Sequence, residues 1–122
     1  MKQDFAFKEL KVWQKAIEFA DYAISLSENL NTSRNHFRLI EQFESACTSV
    51  SMNIAEGKGR RSKKEFIQYL YIARGSLYET VTLATIFNKR NWISDEEQAK
   101  LEKDAIEIAS MTKGLINAIK KS

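Results

Sequence analysis

The chain has 122 residues, the size of one domain, and its 43% hydrophobic and 29% charged residues exclude a disordered tail. It contains no proline, although average usage of ~5% predicts about six and sandwiches and barrels place prolines in their turns, so an all-β fold is not expected. The net charge is +3, and the lone Cys47 cannot form an internal disulfide. No signal-peptide core and no membrane-length apolar run occur, which predicts a soluble cytoplasmic protein.

Periodicity predicts two long helices in the first half of the chain. Apolar side chains recur at three- and four-residue steps over about residues 10–30, and the polar segment 29–35 follows as a link. A second helix is predicted over about 35–56. The segment Gly57-Lys58-Gly59 is predicted to end this second helix, with a glycine in the left-handed conformation as its C-cap. The stripe of the second helix has coiled-coil spacing and consists of Ile40, Phe43, Cys47, Val50 and Ile54.

Two capping boxes predict the starts of the remaining helices. Ser62 is followed three residues later by Glu65, and Ser94 by Glu97. The third and fourth helices are therefore predicted over about 62–90 and 94–120. Four amphipathic helices joined by short links predict an all-α fold, an antiparallel up-down-up-down four-helix bundle forming one domain over residues 1–122.

Helices one and three have wider apolar faces than one bundle requires. The apolar arc of the first helix covers roughly half of its circumference, and the third helix is apolar nearly all round. We therefore predict oligomerisation through extra apolar faces of these two helices, although tyrosines lying flat on a monomer surface would be the simpler alternative. The residues assigned to the oligomer interface are Val12, Phe19, Leu26, Ile67, Tyr71 and Tyr78.

Positive charge collects at one end of the predicted bundle. With alternating helix directions, residues 1–15 (+2), 54–65 (+3) and 113–122 (+3) share an end that carries +8, which leaves −5 elsewhere. Clustered cations at such an end are predicted to track the phosphates of a nucleic acid. The residues predicted to bind nucleic acid are together called the basic end. They are Lys58, Arg60, Arg61, Lys63, Lys64, Lys120 and Lys121.

The same cluster has a simpler interpretation as a solvated charged turn. The spacing of a P-loop is absent, so a nucleotide pocket is not predicted. The aromatic residues do not form a spaced stacking platform of the kind found in single-strand binders. Any binding is therefore expected to be mainly electrostatic and weakly selective for sequence.

No catalytic, metal or cofactor site is predicted. A di-iron bundle needs two Glu-x-x-His motifs, and the chain has one histidine, His36, expected to be exposed or capping. Cys47 lies in a helical stripe and is expected to be a small core side chain. A buried polar network that fixes packing is predicted in the middle of the bundle, whereas a hydrolase using one of its two acids is the less favoured alternative. Its members are Asn53, Glu56, Ser76 and Glu79.

Several segments resemble the four-helix bundle family of 23S ribosomal RNA intervening-sequence proteins. They are residues 12–16 (Val-Trp-Gln-Lys-Ala), 53–57 (Asn-Ile-Ala-Glu-Gly), 61–66 with its Arg-Ser and Glu-Phe pairs, and 72–79 (Ile-Ala-Arg-Gly-Ser-Leu-Tyr-Glu). The resemblance runs from about residue 7 to 119. It implies a homopentamer of bundles without established enzymatic activity. In this setting Gly75 and Ser76 are expected to permit close helix approach, with Glu79 a partner of Ser76 or Asn53.

The chain also resembles the accessory variability proteins of diversity-generating retroelements, basic pentamers associated with nucleic acid and a reverse transcriptase. RNA, single-stranded DNA and a nucleic-acid enzyme are thus the expected partners besides further copies of the chain. The alternative is a structural or protein-recruitment module that docks an acidic protein without nucleic acid. A non-enzymatic, oligomeric accessory protein that binds RNA or other nucleic acid is the favoured function.

Overall fold

The computed structural model describes residues 5–122, and this part of the chain contains four α-helices and no strand. The helices are α1 (Lys11–Ser27), α2 (Phe37–Lys58), α3 (Lys63–Lys89) and α4 (Asp95–Lys121), and a short 3₁₀ turn, Ala6–Glu9, precedes α1. The all-helical prediction is confirmed. Residues 1–4, which include Lys2 and Asp4 of the predicted positive end, lie outside the described residues.

The start of α4 carries the full predicted cap, and the start of α3 carries half of it. Ser94 Oγ accepts from the Glu97 amide, and Glu97 Oε1 accepts from the Ser94 amide at 2.8 Å. At α3, Ser62 Oγ accepts from the Glu65 amide, but the Glu65 carboxylate accepts from the Ser62 hydroxyl instead of its amide. Both helices begin where their serines predict.

The prediction that a glycine ends α2 in a left-handed conformation is wrong. The helix continues through Gly57 to Lys58, Gly59 has a φ of −79°, and no glycine in residues 5–122 has a positive φ. Gly57 is instead a place of close approach. A Cβ atom at Gly57 would lie 2.7 Å from Tyr69 Cβ and 2.9 Å from Phe66 Cδ1, so the missing side chain lets α2 and α3 pack closely. Gly75, expected to have this role, faces open space.

The core lies between the four helices. α1 packs against α2 and α4, and α3 packs against the same two helices. Phe43 of α2 and Phe87 of α3 contact each other with ring centroids 5.1 Å apart, and both are fully buried. The core also contains Val12, Phe19 and Leu26 of α1, which are 4%, 1% and 4% exposed.

Assigning Val12, Phe19 and Leu26 to an oligomer interface is therefore wrong. The apolar arc of α1 is wide because α1 packs against two neighbouring helices, and the outer edge of that arc is marked by Ile17, which is 42% exposed. Projection of the sequence at a constant angle measures the width of an apolar arc but does not say which part faces the chain's own core.

Two contacts show which links lie near each other. The amide of Asn31, in the α1–α2 link, donates to the Trp92 carbonyl oxygen in the α3–α4 link at 2.9 Å. The Nζ atom of Lys63, at the start of α3, donates to the Ser122 carbonyl oxygen just after α4. The α2–α3 link therefore lies beside the end of α4.

Candidate nucleic-acid interface

The basic end is built on the short link between α2 and α3. Lys58 is the last residue of α2, Arg60 and Arg61 lie in the link, and Lys63 and Lys64 open α3. All five are exposed. Because Ser62 starts a new helix so soon after Lys58, the five cations stay within one short segment at one end of the helix pair.

The end of α4 adds two further cations to this surface. Lys120 and Lys121 are exposed in the last turn of α4, next to Ser122, whose carbonyl oxygen accepts the hydrogen bond from Lys63 Nζ. The structure thus brings together residues that are far apart in the sequence, as the sequence predicted for the basic end. Cations in the last turn of a helix also interact favourably with its dipole.

Arg60 differs from the other members because its guanidinium is already engaged. It forms an ion pair with Glu56 at 3.0 Å, donates to the Tyr69 hydroxyl at 2.6 Å and stacks 4.9 Å from the centre of the Tyr69 ring. These contacts fix the position of Arg60 and neutralise part of its charge. Arg60 is therefore better suited to shape the surface than to hold a phosphate.

Five of the other six cations of the basic end have no carboxylate within 4.0 Å among residues 5–122: Lys58, Arg61, Lys64, Lys120 and Lys121. The sixth, Lys63, donates through Nζ to the Ser122 oxygen. Glu65, which follows Lys64 in the sequence, accepts a hydrogen bond from Ser62. Ser62 Oγ also accepts a hydrogen bond from the Glu65 amide. This amide at the start of α3 is therefore not free to bind an anion. The positive field at this end therefore comes from side chains, and it is not cancelled by ion pairs.

The predicted buried polar network is half right. Asn53 donates to Ser49 Oγ at 2.8 Å, and the Ser76 hydroxyl donates to the same atom at 2.9 Å, so Asn53 and Ser76 are joined through Ser49. Placing Glu56 and Glu79 in this network is wrong. Both are exposed, with Glu56 paired to Arg60 and Glu79 accepting from Gln42 Nε2 at 3.2 Å. A solvated carboxylate needs no buried partner, and neither acid has the environment of a general acid or base.

The outer face of α3 remains apolar and uncovered in the single chain. Tyr71, Ile72 and Tyr78 are 41%, 51% and 56% exposed, whereas Ile67 is partly buried against the core. The guanidinium of Arg74 lies 4.9 Å and 5.9 Å from the centres of the Tyr71 and Tyr78 rings. Beside Tyr78, an apolar groove of about 390 Å³ between α3 and α4 is lined by Leu77, Tyr78, Val81, Thr82, Glu102, Ala105, Ile106 and Ala109.

Cys47 and His36 both make contacts within the bundle. Burial raises the pKa of the Cys47 thiol to about 12, with the charge of Glu44 adding to the effect, so the thiolate required of a nucleophile is disfavoured. His36 stacks on Trp92 with ring centroids 4.1 Å apart, and its Nε2 lies 3.1 Å from Thr32 Oγ1. It is half-buried, and its side chain does not cap α2. Within the described chain, no group of three or more histidine, cysteine or acidic side chains is arranged to hold a metal ion.

The family model for the 23S rRNA-intervening sequence protein matches residues 8–114, which include α1, α2, α3, most of α4 and the five cations of the α2–α3 segment. The chain belongs to this family. A solved structure with a similar fold is that of a protein of unknown function from the S23 ribosomal protein family of Bacteroides thetaiotaomicron VPI-5482. The two share 27% sequence identity with a TM-score of 0.80, over 86% of this chain and 97% of the other. Comparison with curated proteins finds no match.

In this member of the family, one feature near the basic end was not predicted from the sequence. The rings of Phe5 and Phe7 stack with their centroids 5.4 Å apart, and the Trp13 ring packs against Phe7 at 5.2 Å with its plane tilted by 57°, so three aromatic rings cluster beside the first turn. The 3₁₀ turn at Ala6–Glu9 brings the rings together. Three aromatics within nine residues were the available signal, but a turn of this kind has no periodicity to reveal it.

No helix within residues 5–122 combines the length and apolar character needed to cross a bilayer.

Proposed function

We propose that this 23S rRNA-intervening sequence protein is a non-enzymatic protein that binds RNA or single-stranded DNA through its basic end. The observation that carries the proposal is the gathering of exposed cations from the α2–α3 link and the end of α4, five of which have neither a carboxylate partner nor a side-chain hydrogen bond among residues 5–122. Unpaired lysines and arginines on one surface are the electrostatic footprint of a polyanion-binding protein. The family name supports an association with RNA.

The proposal includes the alternating up-down direction of the helices, because this arrangement places the basic end on one side of the molecule. Two contacts support it at opposite ends: Lys63 with Ser122, and Asn31 with Trp92. A third supports the pairing of α1 with α4, since the Tyr22 hydroxyl donates to the Glu97 carbonyl oxygen at 3.4 Å. The last helical turns of α1 and the first turn of α4 are therefore adjacent.

The test is the affinity for a fluorescently labelled single-stranded RNA at ~50 mM salt, where electrostatic binding is strong. The variant replaces Arg61, Lys64, Lys120 and Lys121 by alanine. These four have no hydrogen bond or ion pair to lose among the described residues, so the fold is expected to survive. We expect binding to fall by at least tenfold.

A matched control removes the same charge from the other end of the bundle. Arg34, Arg38, Lys89 and Arg90 are also exposed and flank the α1–α2 and α3–α4 links. Their replacement by alanine changes net charge equally, and we expect it to leave most of the affinity. Equal losses in both variants would contradict a localised site. No RNA binding by the unmodified protein, with retention of an acidic protein instead, would favour the protein-recruitment alternative.

We also propose that the protein is a homo-oligomer, assembled through the outer face of α3. Tyr71 and Tyr78 are exposed there beside the groove that Ile106 lines, and Gly75 lies between them with open space above it. Exposed apolar patches of this kind are typical of interaction sites. The family resemblance implies a pentamer, and several basic ends in one assembly would multiply phosphate contacts. A nucleic-acid enzyme in the cytoplasm is the further partner that the resemblance suggests.

Analytical ultracentrifugation tests the oligomer. We expect the unmodified protein to sediment as an assembly of several chains. Replacing Tyr71 and Tyr78 by aspartate adds charge to the interface and is expected to give monomers. Phe37→Asp is the matched control, because Phe37 is 73% exposed at the start of α2, away from this face. A monomeric unmodified protein at tens of micromolar would contradict the proposal.

A further inference from the structure

An open groove adjoins the basic end where the N-terminal turn packs against the end of α2. It has a volume of about 610 Å³ and is lined by Phe7, Met52, Ala55, Glu56, Gly59 and Arg60. The groove is open to solvent along much of its surface, so a ligand in it would lie against one wall and stay partly exposed. Its walls are mainly apolar, whereas its rim reaches Arg60 and so adjoins Arg61 and the other cations of the basic end.

Aromatic and sulfur-containing side chains are unusually exposed around this groove. Phe5 is 67% exposed and stacks on Phe7, and Met52 is 63% exposed. Phe7 in turn contacts Trp13 at 5.2 Å, which anchors the stack to α1. A flat, apolar surface of this kind is suited to the face of another planar ring.

The charges around the groove favour a planar ring that is attached to a phosphate backbone. Among the described residues that line the groove, Glu56 is the one acid, and its carboxylate forms an ion pair with Arg60. Beyond Arg60 lie Arg61 and Lys64, which are exposed and have no ion-pair partner within residues 5–122. A groove that combines aromatic stacking with adjacent cations is the arrangement with which proteins bind single-stranded nucleic acid.

We propose that this groove receives an unstacked nucleobase of a single-stranded nucleic acid, whose backbone is held by the neighbouring cations. The inference rests on the proposed function and narrows it. A duplex keeps its bases stacked inside and offers only phosphates to the basic end, so single strands are the preferred ligand. The sequence predicts binding that is mainly electrostatic, and this proposal adds a contribution from the base.

The experiment compares an intact single strand with an abasic strand of the same length, charge and backbone. Stacking of even one base predicts that the intact strand binds at least about fivefold more tightly. This comparison needs no change in the protein. RNA and DNA strands of one sequence, measured side by side, show whether the ribose contributes.

Variants then locate the effect. The double variant Phe5→Leu, Phe7→Leu keeps the apolar packing but removes the aromatic faces. This variant is expected to bind the intact strand less than twofold more tightly than the abasic strand. Phe37→Leu, an equally exposed phenylalanine at the start of α2, is the matched control and should keep the full preference. Helicity measured by circular dichroism shows that each variant is folded.

The outcomes separate this inference from the proposed function. Equal binding of intact and abasic strands, with a loss in the Arg61, Lys64, Lys120 and Lys121 variant, overturns the base site and leaves the basic end standing. A preference that persists in the phenylalanine variant also overturns the base site. No binding of either strand overturns both proposals.

Discussion

At Gly57 a methyl group would lie 2.7 Å from Tyr69 Cβ, 2.9 Å from Phe66 Cδ1 and 3.2 Å from the Phe66 carbonyl oxygen. Two of these atoms belong to the backbone or lie next to it, so they cannot move without shifting α3. We expect Gly57→Ala to lower the free energy of unfolding by about 1–3 kcal/mol, the usual cost of overpacking. Urea unfolding measures the change.

Gly114→Ala is the control for that substitution. Gly114 is exposed within α4, and a Cβ atom there would meet nothing within 4 Å. Alanine is the better helix former, so we expect this variant to gain roughly 0.5–1 kcal/mol. Similar effects at both glycines would contradict the close approach of α2 and α3.

Burial of Cys47 predicts how stability changes with pH. Its pKa is raised in the folded protein from an ordinary value of 9.0 to about 12. The stabilisation that the buried neutral thiol gives the folded state is therefore present below pH 9, and it is lost as the pH rises toward 12, because the thiol ionises first in the unfolded chain. Relative to Cys47→Ala, the free energy of unfolding should fall by up to about 1.4 kcal/mol per pH unit in that range. Parallel pH curves for the two proteins, from urea unfolding, would contradict this.

Single residues show where interpretation of the sequence succeeds and where it fails. Exposed cations such as Arg61 and Lys64 were predictable, because a charged side chain in a link stays in water. The burial of Glu56 and Glu79 was wrongly predicted, because a rotation of about one residue around a helix exchanges an inner for an outer position. Ser49, which joins Asn53 to Ser76, was missed since a serine in a helix carries no distinctive pattern.

At the scale of elements, the helix starts follow from local chemistry. Ser94 and Glu97 form both hydrogen bonds of a capping box at α4, so we expect Ser94→Ala to cost about 1 kcal/mol of unfolding free energy. Ser110→Ala, at an exposed position inside the same helix, should be neutral or slightly stabilising. Urea unfolding of the two variants measures how much unfolding free energy the Ser94 cap contributes. Equal stabilities of the two variants would contradict a stabilising role for the cap.

The backbone conformation at a helix end was less predictable than a helix start. The segment Gly57-Lys58-Gly59 does end α2, at Lys58 with Gly59 as the C-cap, but no glycine there is left-handed, and Gly57 provides the contact between α2 and α3. A glycine has both uses, and only the neighbouring helix distinguishes them. The 3₁₀ turn at Ala6–Glu9 was missed for a similar reason, because its position depends on packing against α1 and α2.

At the scale of the whole molecule, the functional proposal depends on how the helices bring distant cations together. The fold was predictable because period, caps and link lengths agree. The basic end was predictable as a consequence of that fold, and the contact between Lys63 and Ser122 supports it. The groove beside it was not predictable, since it forms only where the N-terminal turn meets α2.

The most direct test of the central claim is the salt dependence of RNA binding. For single strands, the slope of log K against log salt is about −0.7 for each phosphate contact. Replacing Arg61, Lys64, Lys120 and Lys121 by alanine is predicted to reduce the magnitude of the slope by up to about 2.8 for each chain in contact with the strand. The variant that lacks Arg34, Arg38, Lys89 and Arg90 should keep the original slope. An unchanged slope in the first variant would contradict phosphate binding at the basic end.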